Sequence, residues 1–454
     1  MGFQSINPAT DEVLEELAAF SDAELEQALQ QAADSASAWR QTGMAERAGL
    51  MRAVAVGIRQ LRESLAKTIT LEMGKLYKES LAEIDKCALV CDYYAEHAAA
   101  FLADESITSD AGHSYVAYQP LGTVLAIMPW NFPVWQVFRF AAPALMAGNT
   151  GLLKHASNVP RSALAIEHLF VEAGFPQGVF KTLMIPAATV QRVIEDPRVH
   201  AVTLTGSESA GRKVAAVAGA NLKKTVLELG GSDPFIVLPD ADLDLAVKNA
   251  VASRYMNAGQ SCIAAKRFIV TRAVADDFVA AFRDAVAELQ PGDPMNETTT
   301  LAPMARRDLR DELHLQVTES IAQGAEKVIG CEAVDGPGSY YQASIIDHVK
   351  PGMCAYEEEL FGPVAIVIRV EDEAEAVAVA NSSRFGLGGS VWTQDTARGE
   401  RLARQVDSGA VFVNGMVKSD PRLPFGGVKA SGYGRELSRL GIQEFVNAKT
   451  VWVK

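Results

Sequence analysis

Cys262 closes the run Asn257-Ala258-Gly259-Gln260-Ser261-Cys262, between a helical stretch ending near Met256 and a following strand. A lone cysteine is most often a small buried hydrophobe. Here glycine and polar amides surround it, which suits a tight backbone whose N–H groups face a ligand. A sulfur nucleophile needs such a turn, with a neighbour that lowers its pKa. Glu228 lies in Leu227-Glu228-Leu229-Gly230-Gly231. A carboxylate so placed is either a solvent-facing strand end or a desolvated group whose raised pKa suits a general base. Asn131, in Pro129-Trp130-Asn131-Phe132-Pro133, reads equally as an Asx turn or as a fixed amide donor for an oxyanion. Thr205-Gly206-Ser207-Glu208-Ser209-Ala210-Gly211 follows an apolar run and opens a helix. Its N–H groups could receive a pyrophosphate, although Gly-x-x-x-x-Gly departs from the usual dinucleotide spacing.

These residues need elements to hold them. Ser21 and Glu24 form a capping box, which predicts a helix through residue 39. From Glu46, the apolar stripe Leu50, Val54, Ile58, Leu61, Leu65, Ile69 predicts one helix that ends at Gly74. A third helix follows through Tyr93 and Tyr94, and 106–120 reads as strand. Apolar runs at 123–128, 151–154, 179–185 and 200–204 alternate with helices that start near Val134, Arg161, Ala188 and Ser209. Further strands are expected at 235–238, 267–270, 364–370 and 410–413. This alternation predicts parallel sheets covered by helices, with ligands at the carboxyl ends of the strands. The β-rich tail 444–454 needs a pairing partner, for which the 107–118 strand of a second subunit is a candidate.

The 454 residues suggest about three units at ~150 residues each. With 56 acidic and 42 basic residues the net charge is −14, which disfavours nucleic acid and anionic membranes as partners. No apolar run approaches the ~18 residues of a membrane span, and the first residues resemble neither a signal peptide nor a myristoylation site. Five cysteines (Cys87, Cys91, Cys262, Cys331, Cys354) without paired spacing suit reduced thiols of a cytoplasmic protein. No metal motif is present.

Together the motifs resemble the aldehyde dehydrogenase superfamily. The matching residues are Pro-Trp-Asn-Phe-Pro, Lys154 at a strand end, Thr-Gly-Ser with a later Gly, Leu-Glu-Leu-Gly-Gly and Asn-Ala-Gly-Gln-x-Cys. Glu359-Leu360-Phe361-Gly362-Pro363 and Pro424-Phe425-Gly426-Gly427-Val428-Lys429-x-Ser431-Gly432 follow in the same order. The resemblance runs from Ile6-Asn7-Pro8 to the terminal strand. It implies an α/β fold with three parts: a Rossmann-type cofactor domain (1–105 and 121–230), a catalytic domain (231–430) and a β-arm for oligomerisation (106–120 and 440–454). Homodimers or homotetramers are implied too. By the same resemblance Cys262 is the nucleophile and Glu228 the base, while Asn131 and the Cys262 N–H form the oxyanion hole. Trp130, Lys154, Ser157, Gly206, Ser207, Gly211, Leu229, Glu359 and Phe361 are implied to contact the cofactor.

Many relatives that prefer NAD place glutamate where Ser157 stands. Serine removes that charge while Lys154 remains, so NADP is the expected cofactor, with NAD possible. His155 replaces a frequent proline, and a softer loop is expected there. Arg139 lies eight residues beyond Asn131, roughly two helical turns. Among apolar neighbours it needs an anionic partner, either an internal carboxylate or a ligand. Succinic semialdehyde dehydrogenases are similar in carrying arginine here, where it binds the substrate's distal carboxylate, and a serine matched by Ser419. Some carry a second arginine where this chain has Met256, which implies a less exacting pocket that also admits glutarate semialdehyde or uncharged aldehydes. Trp135 is a pocket wall or simple core. Three other classes stay open: a thiol esterase, which needs no hydride acceptor; an acylating dehydrogenase, whose members usually lack the glutamate present as Glu228; and a non-enzymatic structural role, against which the intact set Cys262, Glu228 and Asn131 speaks.

Overall fold

Helix α1 (Asp22–Trp39) begins where the Ser21 hydroxyl accepts from Glu24 N and the Glu24 carboxylate accepts from Ser21 N. This reciprocal pair supplies two of the first-turn contacts a helix lacks. The computed structural model describes residues 2–454. The single helix expected from Glu46 is two: α2 (Met44–Gln60) and α3 (Arg62–Met73), broken at Leu61. The apolar stripe stays in phase, but the Ser64 hydroxyl binds Leu61 O at 2.9 Å and Leu61 turns outward. The kink lets α3 reach the sixth helix while both pieces pack on α4 (Tyr77–Phe101). Gly74 does end α3, at φ 85°.

An N-terminal hairpin joins β1 (Phe3–Ile6) and β2 (Val13–Leu17). After α4 come β3 (Glu105–Ser106), β4 (His113–Pro120) and β5 (Thr123–Met128), then α5 (Trp135–Met146) and β6 (Thr150–His155). The alternation continues with α6 (Pro160–Glu172), β7 (Phe180–Thr182), α7 (Val190–Glu195), β8 (Val199–Thr205), α8 (Glu208–Ala220) and β9 (Lys224–Glu228). The second block holds β10 (Asp233–Val237), α9 (Leu243–Tyr255), β11 (Ala265–Thr271), α10 (Arg272–Ala287) and α11 (Arg307–Ala322). It continues through β12 (Glu326–Ile329), β13 (Ser344–Asp347), α12 (Cys354–Glu357), β14 (Val364–Val370) and α13 (Glu373–Ser382). β15 (Phe385–Gly386), β16 (Gly388–Trp392), α14 (Thr396–Ala403), β17 (Ala410–Val413), β18 (Val428–Lys429), β19 (Gly432–Tyr433), α15 (Ser438–Gln443) and β20 (Val446–Val453) complete the chain.

Six strands form one sheet in the order β19-β9-β8-β5-β6-β7, and seven form another in the order β12-β13-β14-β11-β10-β16-β17. All pairs are parallel except the edges β19–β9 and β12–β13. Each sheet is buried on both faces, as parallel sheets are. In the first, Val124 and Ala126 face one core while Leu125 faces another. In the second, Ile236 and Ile269 face one core while Phe235 and Phe268 face the other.

The tail finds its partner within its own chain. β20 pairs antiparallel with β4, from Val446↔Pro120 to Val453↔His113, in a small sheet ordered β20-β4-β3. The expectation of pairing with that strand in a second subunit is corrected: an eight-residue ladder on the neighbouring strand of the same chain satisfies one edge of β20. Among the described residues, no helix is long and apolar enough to cross a membrane.

Candidate active site

The turn that carries Cys262 is built from three successive residues in the left-handed region: Asn257 (φ 54°), Ala258 (φ 51°) and Gly259 (φ 72°). Two of these carry a Cβ, an arrangement costing on the order of 1–3 kcal/mol at each and kept only where contacts enforce it. The Glu79 carboxylate accepts from Asn257 N, and Asn257 Nδ2 donates to Asn131 O at 2.8 Å and to Gln260 O at 3.1 Å. Gln260 Oε1 accepts from Ala305 N. Below the turn, the fully buried Arg254 donates to Leu360 O and Gly362 O, tying the nucleophile turn to the Glu359-Leu360-Phe361-Gly362 loop. From the far side, Lys266 Nζ donates to the carbonyls of Ser261 (2.8 Å) and Cys262 (2.9 Å) and pairs with Glu359 at 3.0 Å.

Cys262 is half-buried. Burial pushes its thiol up to about 12, with Arg139 and Lys266 pulling the other way. The expected neighbours that lower the thiol pKa are present as Arg139 and Lys266, yet desolvation outweighs them and the net shift is upward. The resting group is a thiol, and an exposed, readily oxidised thiolate is not what the fold presents.

Glu228 ends β9, 2% exposed, with neither carboxylate oxygen hydrogen-bonded. Desolvation raises its pKa well above the ordinary carboxylate range; the like charge of Glu436 adds to this, and Arg139 opposes it. The Pro-Phe-Gly-Gly segment makes room for it: a Cβ at Gly426 would sit 2.5 Å from Glu228 Oε1. The backbone beyond Glu228 is fixed by Ser431, whose carbonyl accepts from Leu229 N and whose hydroxyl donates to Gly230 O at 2.6 Å.

Asn131 is buried between β5 and α5. Its Oδ1 accepts from Gln136 Nε2 at 3.0 Å, which turns its Nδ2 toward the nucleophile turn, where it reaches Gln260 O at 3.0 Å. The start of α5 has no side-chain cap of its own. Glu83 of α4 supplies one from outside, accepting from Val134 N and Trp135 N at 2.9 Å each, and it is held in turn by Lys75.

Cys262, Asn131, Trp130, Gly206, Ser207, Leu229, Glu359 and Phe361 line one cleft of about 800 Å³. Gly206 N donates to Glu228 O, and Ser207 caps α8 by accepting from Ala210 N. The N-terminus of α8 thus opens into the cleft that holds the sulfur. A Cβ at Gly211 would meet Leu229 at 2.6 Å, so this glycine lets α8 close on β9. The Trp130 and Phe361 rings meet edge-on at 5.8 Å. Glu359 is fixed by Lys266 and by Gly231 N. Lys154, at the end of β6, is buried without an ion pair among the described residues, and burial lowers its pKa. Ser157 beyond it is exposed. An unanswered cation and a helix N-terminus at strand ends fit a phosphorylated dinucleotide such as NADP.

The aldehyde dehydrogenase family model matches residues 1–451. The chain belongs to the aldehyde dehydrogenase family. It is 52% identical to a probable NADP-dependent succinate-semialdehyde dehydrogenase of Synechocystis, over the whole of both chains. It is 50% identical to a succinate-semialdehyde dehydrogenase [NADP(+)] of Mycobacterium avium, covering 100% of this chain and 97% of the relative. The crystal structure of the Streptococcus pyogenes succinic semialdehyde dehydrogenase in complex with NADP+ superposes with a TM-score of 0.98 at 41% identity, over 99% of each chain.

In this aldehyde dehydrogenase Arg139, 2% exposed, has an internal carboxylate, one of its two expected partners: Glu436 answers its charge, Thr205 Oγ1 accepts from it at 3.2 Å, and its guanidinium stacks on Phe425. The loop at His155 is tied down by the imidazole. The ring binds Pro133 O at 2.7 Å through Nε2 and accepts from Ala156 N through Nδ1, and burial holds its pKa down to about 4, so it is neutral. Trp135 and Ser419 are both buried, joined through the ammonium of Lys86, which lies 4.2 Å above the Trp135 ring and donates to Ser419 Oγ at 2.7 Å. The sequence reading missed Gln136, Lys266, Glu436 and Lys86. Lys266 sits four residues after Cys262 and Gln136 five after Asn131; the other two are distant in sequence and carried no local signal.

Proposed function

We propose that this chain oxidises succinic semialdehyde to succinate with NADP, through a thioester on Cys262. The observation that carries the reading is that sulfur, amide donor and helix N-terminus share one cleft, in a chain whose full-length relatives bear that activity in their names.

NADP, when bound, supplies the acceptor for a hydride ion. The Cys262 thiol passes its proton to solvent water, the sulfur adds to the aldehyde carbon, and the Asn131 amide with the Cys262 N–H holds the resulting alkoxide. Loss of hydride from that carbon leaves a thioester on the sulfur. Glu228, its affinity for protons raised by burial, then takes a proton from water; the hydroxide adds to the thioester and expels the sulfur as thiolate, releasing the acid, and Glu228 returns its proton to the sulfur. The six-stranded layer with α8 serves as the cofactor unit, and the seven-stranded layer carries the nucleophile. The free edge of β20, with Trp452 and Val453 exposed, is our candidate surface for a homodimer or homotetramer, testable by light scattering. Five unpaired cysteines suit a reducing compartment such as the cytoplasm.

The decisive experiment is a steady-state panel of succinic semialdehyde, glutarate semialdehyde and butanal against NADP and NAD. Succinic semialdehyde with NADP should give the highest kcat/KM; a higher value for butanal or for NAD would sink the corresponding half of the reading.

A further inference from the structure

Lys266 lies near the start of β11, and its side chain reaches back to the nucleophile turn, 2% exposed. An ammonium has three N–H groups to place. All three have partners: Ser261 O at 2.8 Å, Cys262 O at 2.9 Å and the Glu359 carboxylate at 3.0 Å. No donor is left for a substrate, so this lysine touches the chemistry only through the groups it holds. Ser261 O accepts a second bond, from Ala264 N at 3.2 Å. Gly231 leaves the space beside Cys262 O, since a Cβ there would lie 2.5 Å from that oxygen. The peptide between Ser261 and Cys262 is therefore clamped by its oxygen. A peptide group is planar, and in the trans form its C=O and N–H point opposite ways; among the described residues no peptide is cis. Turning Ser261 O toward the ammonium turns the Cys262 N–H away from it, and among the described residues no protein acceptor meets that N–H. Charge matters as well as direction. A cation on a carbonyl oxygen draws electron density through the amide and makes the N–H of the same plane a stronger donor. The Glu359 carboxylate offsets the charge and so makes the buried cation tolerable.

We propose that Lys266 is a positioning residue for oxyanion stabilisation: by gripping Ser261 O it aims and polarises the Cys262 N–H, the donor that works beside the Asn131 amide. The inference rests on the reading that these two donors hold the oxygen of the tetrahedral intermediate. This role is separate from the electrostatic pull of the same ammonium on the Cys262 sulfur. A charge near the sulfur acts on every reaction of the thiol alike, whereas an aimed N–H acts only where an oxyanion forms.

The test sets two reactions of the cofactor-free protein against each other. With p-nitrophenyl acetate the sulfur adds to a carbonyl, its proton passing to water, and the oxyanion collapses to a thioester as p-nitrophenolate leaves. With iodoacetamide the same sulfur displaces iodide from a saturated carbon, and no oxyanion forms. In Lys266→Met both should slow, but the burst of p-nitrophenolate should slow about tenfold more than the alkylation, a part of what one oxyanion donor carries. Lys266→Gln, a neutral donor, should fall between the parent and Lys266→Met. Asn131→Ala reports on the oxyanion site itself and should lower the same ratio of rates on the order of 100-fold. Equal slowing of the two reactions in Lys266→Met overturns the proposal, as does a parental ratio in Lys266→Gln should Lys266→Met fail to fold. In either case the oxyanion reading stands if Asn131→Ala still lowers the ratio, and falls with the proposal if it does not.

Discussion

Gln136 holds Asn131 by a single hydrogen bond, Nε2 to Oδ1 at 3.0 Å, between two side chains that are both buried. An amide has a donor end and an acceptor end, and this bond fixes which end faces Cys262. Asn131→Ala should lower kcat on the order of 100–1000-fold, as loss of an oxyanion donor does. Gln136→Met keeps the volume and removes the orienting donor, and about a tenfold loss in kcat with little change in KM is expected. Full kcat in Gln136→Met would show that the nucleophile turn orients Asn131 unaided.

The thiol of Cys262 sits at about 12 because burial outweighs Lys266 and Arg139. A raised thiol pKa means the reactive thiolate fraction keeps growing with pH beyond the ordinary cysteine range. In the protein without cofactor, alkylation of Cys262 by iodoacetamide should therefore rise from pH 7 to pH 10 without levelling. Lys266→Met should slow it further at any one pH, since one of the opposing cations is gone. A plateau below pH 8.5 would contradict the desolvated thiol.

Glu228 has the burial a base needs and no hydrogen bond to restrain its carboxylate. Glu228→Gln keeps the shape and cannot take a proton from water. Such an enzyme should release about one equivalent of NADPH per Cys262 in a fast burst and then nearly stop. Mass spectrometry should find the acyl group on Cys262. Steady turnover at a rate near that of the parent would remove Glu228 from the hydrolytic step.

What the chain revealed in advance was local. Cys262, Glu228 and Asn131 each sit in a run of peculiar composition, and alternating apolar runs located β5, β8, β14 and β17. Helix breaking at Leu61 was hidden because the apolar stripe continues in phase across it. The fate of Arg139 was hidden for another reason: Glu436 lies almost 300 residues away, and only the β19–β9 pairing beside it brings that segment under Glu228. Lys86 reads as an ordinary charge on a long helix until Trp135 and Ser419 arrive from two other parts of the chain. Contacts made by tertiary packing leave no spacing to read.

Ser157 stands exposed just past β6, and Lys154 is the buried cation behind it. A carboxylate introduced at position 157 would find Lys154 unpaired and take its charge. It would also repel the two negative charges of a 2′-phosphate, while a ribose diol would accept the same carboxylate as a hydrogen-bond partner. Ser157→Glu should thus lower the NADP-to-NAD ratio of kcat/KM by about 100-fold, chiefly by raising KM for NADP. Quenching of protein fluorescence by NADPH should weaken in parallel, a readout independent of turnover. An unchanged ratio would mean that the 2′-phosphate lies out of reach of residue 157, and cofactor choice would then have to be sought nearer the start of α8.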